Sequence, residues 1–418
     1  MTPRANQVAG LAAAINDIGP LTAPADALLH QFFRRHREMG RTDRAFVADG
    51  VFAYLRRRRS LEALAGTTEP SKLALATTVR ELGVSIRELE DVLREPDAVW
   101  LRAFKSRMAT KLEPAVAADL PDWLWARLGA AFGDAEREQL ARAWLAPAPL
   151  DLRVNSLKST RDAALAALAG SGIDARRTPF SPLGLRIAGR PSLAQHPLFA
   201  DGTLEIQDEG SQLVGFLVAP KRGEMVVDFC AGAGGKTLLL GALMRSQGRL
   251  YAFDIVDKRL ANLKPRLARS GLSNVHPQLI VHERDPKVKR LAGKIDRVLV
   301  DAPCTGFGTL RRNPDLKWRH AESAIAELAA KQTPILNAAA TLVKPGGRLV
   351  YATCSVLADE NEAIVAGFLA AHPQFAAGNA GAELARAGIA LDTGPTLALL
   401  PHRHGCDGFF AAVLERTQ

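Results

Sequence analysis

The stretch Val226–Met244, VVDFCAGAGGKTLLLGALM, decides how the rest of the chain is read. An apolar run, Met225 to Val227, reads as a buried strand ending at Asp228 and Phe229. A tight loop of small residues follows, Ala231, Gly232, Ala233, Gly234 and Gly235, headed by Cys230. Lys236 and Thr237 then open an apolar segment of helical length, Leu238 to Met244. Glycine lets backbone approach a ligand closely, and the free N–H groups of a helix start favour a carboxylate or phosphate. Alone, the loop is equally an ordinary turn between a strand and a helix.

Two further segments decide the matter: Val298–Thr309, VLVDAPCTGFGT, and Leu349–Glu362, LVYATCSVLADENE. Each begins as a buried strand and ends in a polar loop carrying one cysteine. In a parallel α/β sheet the carboxyl ends of neighbouring strands line one crevice, where ligands bind. Asp228, Asp301, Cys304 and Cys354 are therefore expected to converge although far apart in sequence. A single cysteine is more often an inert buried residue than a nucleophile. Two, each directly after a strand and flanked by small polar residues, favour chemistry.

GAGGKT at 232–237, DAPCTGFGT at 301–309 and YATCSV at 351–356 resemble the signature segments of the Sun-family, RsmB-like RNA cytosine-5 methyltransferases. The likeness runs from about Pro147 to the C-terminus. One departure is visible: the family's first loop commonly reads Ala-Ala-Pro-Gly-Gly-Lys, and here Gly232-Ala233 replaces Ala-Pro, which keeps the residues small. The resemblance implies a class I methyltransferase fold, a Rossmann-like doubly wound α/β sheet, with S-adenosyl-L-methionine as methyl donor. Cys230 to Gly235 and Lys236 would form the cofactor loop, with the Cys230 side chain structural. Asp254, ending the strand LYAFD, would accept the ribose hydroxyls, and Asp285 of ERDP would lie near the adenine; Asp301 would border the same site.

Carbon 5 of cytosine is too electron-poor to attack a methyl group unaided. Addition of a thiolate at carbon 6 makes it an enamine-like nucleophile and splits one hard step into two. The resemblance assigns that thiolate to Cys354. It gives Cys304 the removal of the carbon 5 proton, Asp301 the N3 edge of the base, and Lys236 the orientation of the base. The target must be unpaired or flipped out of its stack. DNA cytosine-5 methylation is the nearest rival, but there the Pro-Cys cysteine is the nucleophile and the Thr-Cys-Ser segment has no role. A non-catalytic ribosome-assembly factor is disfavoured, because every residue the chemistry needs is present. A dehydrogenase is excluded, since GAGGKT is not G-x-G-x-x-G.

Composition agrees with this reading. At 418 residues the chain exceeds the usual size of one hydrophobic core. Lysine and arginine exceed the acids by ten, which favours a polyanionic partner. RNA is that expected partner, ribosomal RNA of the small subunit first and transfer RNA as the alternative. No membrane and no metal are expected: no run of 18 apolar residues occurs, and the four cysteines lack CxxC spacing. The protein is expected in the cytoplasm and as a monomer.

Three stretches are expected in order. Residues 1–146 read as a basic, helical, RNA-binding extension, with apolar residues at three- and four-residue spacing. Residues 1–60 hold ten arginines and five acids, about half the net charge, in runs at Arg34, Arg35, Arg37 and at Arg56 to Arg59. Residues 147–210 read as a small α+β subdomain: LDLRVNSL as a strand, TRDAALAALAGSG as a helix, LGLRIAG and TLEIQDEGS as strands. Within it an Arg-Val-Asn segment, Arg153 to Asn155, matches the family, and Asp208 reads as a helix cap. Residues 211–418 read as the catalytic domain. Arg311, Arg312, Lys317 and Arg319, just after the Cys304 loop, are expected to hold phosphates, and Lys287, Lys289, Arg290 and Lys294 to guide RNA.

Overall fold

Buried, β-branched runs ending in polar loops build the centre of the computed structural model, which describes residues 3–417 apart from 190 and 194, with backbone alone at 90–92. The chain folds into two compact units. One is Met1–Pro147 with Thr309–Glu322; the other is Ala148–Gly308 with Ser323–Gln418.

The second unit holds two sheets. In the smaller, β1 (Leu150–Val154), β2 (Ala175–Arg177), β3 (Gly184–Ile187) and β4 (Leu204–Ile206) lie in the antiparallel order β2-β3-β1-β4. Helix Arg161–Gly170 packs Ala164 and Leu168 onto Leu152, Val154 and Leu185. The sequence reading lacked β2, whose ARR is short and mostly exposed and carries no apolar signal.

The larger sheet contains β5 (Met225–Asp228), β6 (Arg249–Asp254), β7 (Val275–Leu279), β8 (Ile295–Asp301), β9 (Val343–Thr353), β10 (Phe375–Ala377), β11 (Leu397–Leu399) and β12 (Phe409–Arg416). Its order is β10-β12-β9-β8-β5-β6-β7, with β11 also on β12. Strands β5 to β9 are mutually parallel, while β10, β11 and β12 pair antiparallel. The sheet is therefore mixed rather than wholly parallel. From β5 the chain steps outward to β6 and β7, then returns to β8 on the other side of β5. That reversal is where α/β sheets open a ligand crevice at their carboxyl ends.

Strand alternation divides the core. Ala252, Leu299, Val350 and Ala352 face helices Glu209–Val218, Gly235–Leu243 and Asp257–Ser270 through Val214, Leu238 and Leu263. Phe253, Val298, Val300 and Tyr351 face Ser323–Ala340 and Glu362–Ala371 through Leu336, Ile364 and Phe368. Each fully buried side chain of this size contributes about 1.5–3 kcal/mol. Asp208 caps Glu209–Val218, its carboxylate accepting the Gly210 N–H at 2.8 Å.

The first unit is helical: Ala5–Ile18, Ala25–Arg35, Arg41–Ala65, Pro70–Arg80, Glu95–Arg107 and Asp122–Trp144 surround Leu11, Phe32, Val51, Leu55, Leu61 and Phe104. Helix Arg41–Ala65 breaks at Arg57, where φ is −118° and ψ 19°. A break strands backbone groups that need partners. The Trp318 indole donates to the Leu55 carbonyl at 2.6 Å and Lys317 Nζ to the Arg56 carbonyl at 2.9 Å. Asp119 accepts the Ser60 N–H at 2.8 Å. Residues 309–322 thus complete a helix far away in sequence.

This corrects two expectations about phosphate-binding cations. Lys317 and Arg311 are buried, the Arg311 carbonyl accepts from Arg56 Nη2 at 3.1 Å, and Arg319 pairs with Asp315 at 3.3 Å. In the run Arg56 to Arg59, Arg56 is buried, Arg57 lies 3.5 Å from Glu81, Arg58 3.0 Å from Glu62 and Arg59 2.8 Å from Asp122. These cations hold the helical unit together. Arg34 and Arg37 are exposed, and Arg35, also exposed, reaches Asp17 at 2.9 Å.

Candidate active site

Sheet register sets the site. Asp228 pairs with Leu299 and Ala252, and Leu299 with Val350, so these residues form one row on one face. Two residues further along, on the same face, come Asp254, Asp301 and Ala352; Cys354 lies two beyond Ala352. A cavity of about 720 Å³ opens over this edge. Its lining includes Cys230, Gly232, Asp254, Asp301, Cys304 and Cys354.

The glycine-rich loop leaves β5 and enters helix Gly235–Leu243. Gly234 has φ +82°, and a Cβ there would sit 2.1 Å from Leu263, so only glycine fits this cap. Two arginines brace the loop from behind. Arg153, fully buried, donates to the Gly235 carbonyl at 2.7 Å and to Gln207. Arg266 donates to the Ala233 carbonyl at 2.5 Å while paired with Glu205 at 2.8 Å. The Arg-Val-Asn segment therefore supports the loop, and Asn155 ties the small sheet to the Ser270 carbonyl at 2.8 Å. Sequence reading named Arg153 but had no signal for Arg266 or Glu205, which meet it only through the fold.

Asp254 accepts the Gly232 N–H at 2.9 Å and the Val256 N–H at 2.8 Å, one on each oxygen. It is buried, yet it lines the cavity. Asp285 is placed differently. Its oxygens accept the Val281 N–H at 3.0 Å and the Lys287 N–H at 2.8 Å, and these bonds hold its pKa below the usual carboxylate range. Asp285 shapes the loop, and its neighbours Val281, His282 and Glu283 line the cavity in its stead. Ile255 and Val281 are 63% and 81% exposed, an apolar pair at the cavity wall that water does not favour. Leu328, Lys331, Pro334 and Ile335 of helix Ser323–Ala340 line it as well, and sequence reading missed them all.

Lys236 and Asp301 form a 2.8 Å ion pair. Burial would strip the Lys236 proton, but Asp301 in contact, with Cys354 and Asp228 nearby, holds its pKa above the ordinary lysine value. The Phe409 ring, 5.1 Å from Nζ, adds a cation–π contact from β12. Asp228 lies beneath, pushed up to about 7 by burial while Thr237 donates to it at 2.7 Å. Burial also pushes the Cys230 thiol far up, which marks it as inert.

Cys304 and Cys354 face each other with sulfurs 3.4 Å apart. The Gly308 N–H donates to the Cys354 carbonyl at 2.9 Å, joining the two loops. A Cβ on Gly308 would come within 2.8 Å of that carbonyl, so the approach requires glycine. The neighbouring Cys354 sulfur, then burial, push the Cys304 thiol well above its ordinary range. Among the described residues no three His, Cys, Asp or Glu side chains are grouped to hold a metal ion, and no helix is long and apolar enough to cross a membrane.

Residues 215–415 match the family described as 16S rRNA methyltransferase RsmB/F, and residues 120–193 match the ferredoxin-like domain of RsmF/B-like methyltransferases. A probable ribosomal RNA small subunit methyltransferase B from Synechocystis is 38% identical over 301 residues, covering 71% of this chain and 67% of the relative. The ribosomal RNA small subunit methyltransferase B of Sodalis glossinidius is 36% identical over 324 residues, covering 76% and 72%. Among solved structures, PH0851 aligns over 99% of both chains at 27% identity with a TM-score of 0.79. A methyltransferase homolog protein from Pyrococcus horikoshii aligns over 72% of this chain and 97% of its own at 28% identity, with a TM-score of 0.61.

Proposed function

The chain belongs to the RsmB/F family of 16S rRNA methyltransferases, and from that premise we propose that it methylates carbon 5 of a cytosine in small-subunit ribosomal RNA. The observation that carries this reading is the pair of cysteines, 3.4 Å apart at the cavity edge beside the Lys236–Asp301 pair. S-adenosylmethionine, when bound, supplies the electrophilic methyl group. The residues present fit it. Gly232 opens the loop to the cavity, Asp254 can accept ribose hydroxyls beside the N–H groups it already accepts, and Ile255 and Val281 offer apolar faces for an adenine ring.

The protein's part runs as follows. The base enters flipped from its stack, and Asp301, fixed by Lys236, meets its N3 edge. The Cys354 thiolate forms a bond to carbon 6, and the electron pair of the 5,6 double bond becomes available at carbon 5 for the methyl group. Cys304, having given its own thiol proton to solvent, takes the carbon 5 proton as a thiolate, the 5,6 double bond re-forms, and the Cys354 sulfur leaves with its electron pair. The cause of Cys304's raised pKa supports this order. Once Cys354 is bonded to carbon, its sulfur is a weaker acceptor for the Cys304 thiol, which loosens the hydrogen bond that raises the Cys304 pKa most. With ribosomal RNA as substrate, the reaction belongs to the cytoplasm.

Bisulfite converts cytosine and spares 5-methylcytosine. Sequencing bisulfite-treated RNA from a deletion strain is expected to show one small-subunit rRNA cytosine losing protection. Unchanged protection across rRNA, or loss confined to transfer RNA, would refute this reading of the substrate.

A further inference from the structure

Glu360 is fully buried, and it belongs to no role assigned so far. Its Oε1 accepts the Thr305 N–H at 2.8 Å and Gln332 Nε2 at 3.2 Å. Its Oε2 accepts the Thr305 hydroxyl and the Ser355 hydroxyl, both at 2.5 Å. Thr305 directly follows Cys304, and Ser355 directly follows Cys354. The Tyr351 hydroxyl, from β9, donates to Glu360's own carbonyl at 2.6 Å. Gln332 also donates to the Pro303 carbonyl at 2.9 Å, just before Cys304.

We propose that Glu360 is the positioning residue that sets the Cys304 and Cys354 thiols against one another. A buried carboxylate must be satisfied, and this one spends its acceptors on the two cysteine loops and on the glutamine beside them. It does not line the cavity, so it acts through the loops rather than on the substrate. Charge-assisted bonds are shorter and stiffer than neutral ones, and they fix both loops to one rigid group. Such fixing matters where two sulfurs must reach adjacent carbons of one base, since a misplacement of about 1 Å can cost on the order of 100-fold in rate.

The inference rests on the reading of Cys354 as nucleophile and Cys304 as base. Addition at carbon 6 needs one sulfur in place; elimination needs both. Loosening the pair therefore harms resolution more than addition. In Glu360→Gln one acceptor oxygen becomes an NH2 group facing donors. The full chain is incubated with S-adenosylmethionine and unmodified small-subunit rRNA, then run on a denaturing gel, with Cys304→Ala as control. Expected for Glu360→Gln is a trapped RNA adduct like that of Cys304→Ala, turnover lower by about tenfold or more, and unchanged cofactor affinity. Thr305→Val, which removes one hydroxyl contact only, is expected to trap adduct as well and carries the test if Glu360→Gln fails to fold. Turnover at the parent rate, or loss of turnover without adduct while Cys304→Ala still traps it, overturns the positioning role. If Cys304→Ala traps nothing, the assignment of the two cysteines falls, and the positioning role with it.

Discussion

Lys236 in the sheet unit and Lys317 in the helical unit are both buried lysines, yet their surroundings treat them oppositely. Lys236 touches a carboxylate, which outweighs burial and raises its pKa. Lys317 donates to a backbone carbonyl, with Asp119 attracting it from further off and Arg56 and Arg57 repelling it; burial wins, and its pKa falls to about 7. A buried cation kept charged by a carboxylate at a cavity is equipped for chemistry. One that plugs a helix break is part of the scaffold. Type and spacing of charged residues do not separate these cases; the first atom each one touches does.

The largest effect that would break this comparison is on catalysis. Lys236→Met is expected to lower the methylation rate by about 10²- to 10⁴-fold, with the fold retained. Initial rates within a few-fold of the parent would place Lys236 with the scaffold cations.

Asp254→Ala is next. It removes charge-assisted bonds and is expected to weaken S-adenosylmethionine binding by about 1.5–3 kcal/mol. Titration calorimetry showing parental affinity would withdraw the ribose assignment.

For Lys317 the folded pKa, about 7, lies below the ordinary 10.5 of the unfolded chain. Between those values the unfolded state binds more protons, so stability rises with pH by up to about 1.4 kcal/mol per unit. Denaturant midpoints from pH 7 to 10 should climb in the parent and lose that component in Lys317→Met. Equal slopes would show that the folded state holds the Lys317 proton as firmly as the unfolded chain does, and that burial does not lower its pKa.

The smallest effect separates the two arginine runs. Replacing exposed Arg34 and Arg37 with Gln is expected to make the salt slope of RNA binding shallower by about one for each phosphate left unneutralised. Arg56→Gln should leave the slope alone and cost about 1–3 kcal/mol of stability, because it strands a buried carbonyl. A reversed pattern would return the second run to the RNA.

The sheet unit was largely legible because its candidate site residues sit at strand ends, where hydrophobic runs give way to Asp228, Asp254, Asp301 and Cys354, and register carries them to one edge. Its antiparallel flank was not, since the run Phe409 to Leu414 looks the same in either direction. Asp285 was harder to read, because an aspartate after a strand serves a loop as readily as a ligand and its two N–H partners do not show in the sequence. The helical unit was legible in its apolar spacing and illegible in its charges. Nothing local shows that 309–322 leaves the catalytic stretch to complete a helix broken at Arg57. Glu360 escaped notice for the same reason, since Thr305 and Gln332 lie 55 and 28 residues away and, of its carboxylate's partners, only Ser355 is near it in sequence.

The central claim is that the two cysteines have different tasks, and trapping of the covalent intermediate tests it most directly. Each variant is mixed with S-adenosylmethionine and small-subunit rRNA and run on a denaturing gel. Addition at carbon 6 is reversible until methylation, whereas the methylated adduct needs a base at carbon 5 to eliminate. Cys304→Ala should therefore show a slow, RNA-linked band, and Cys354→Ala should show neither band nor product. A band with Cys354→Ala and none with Cys304→Ala would exchange the two roles and contradict the account.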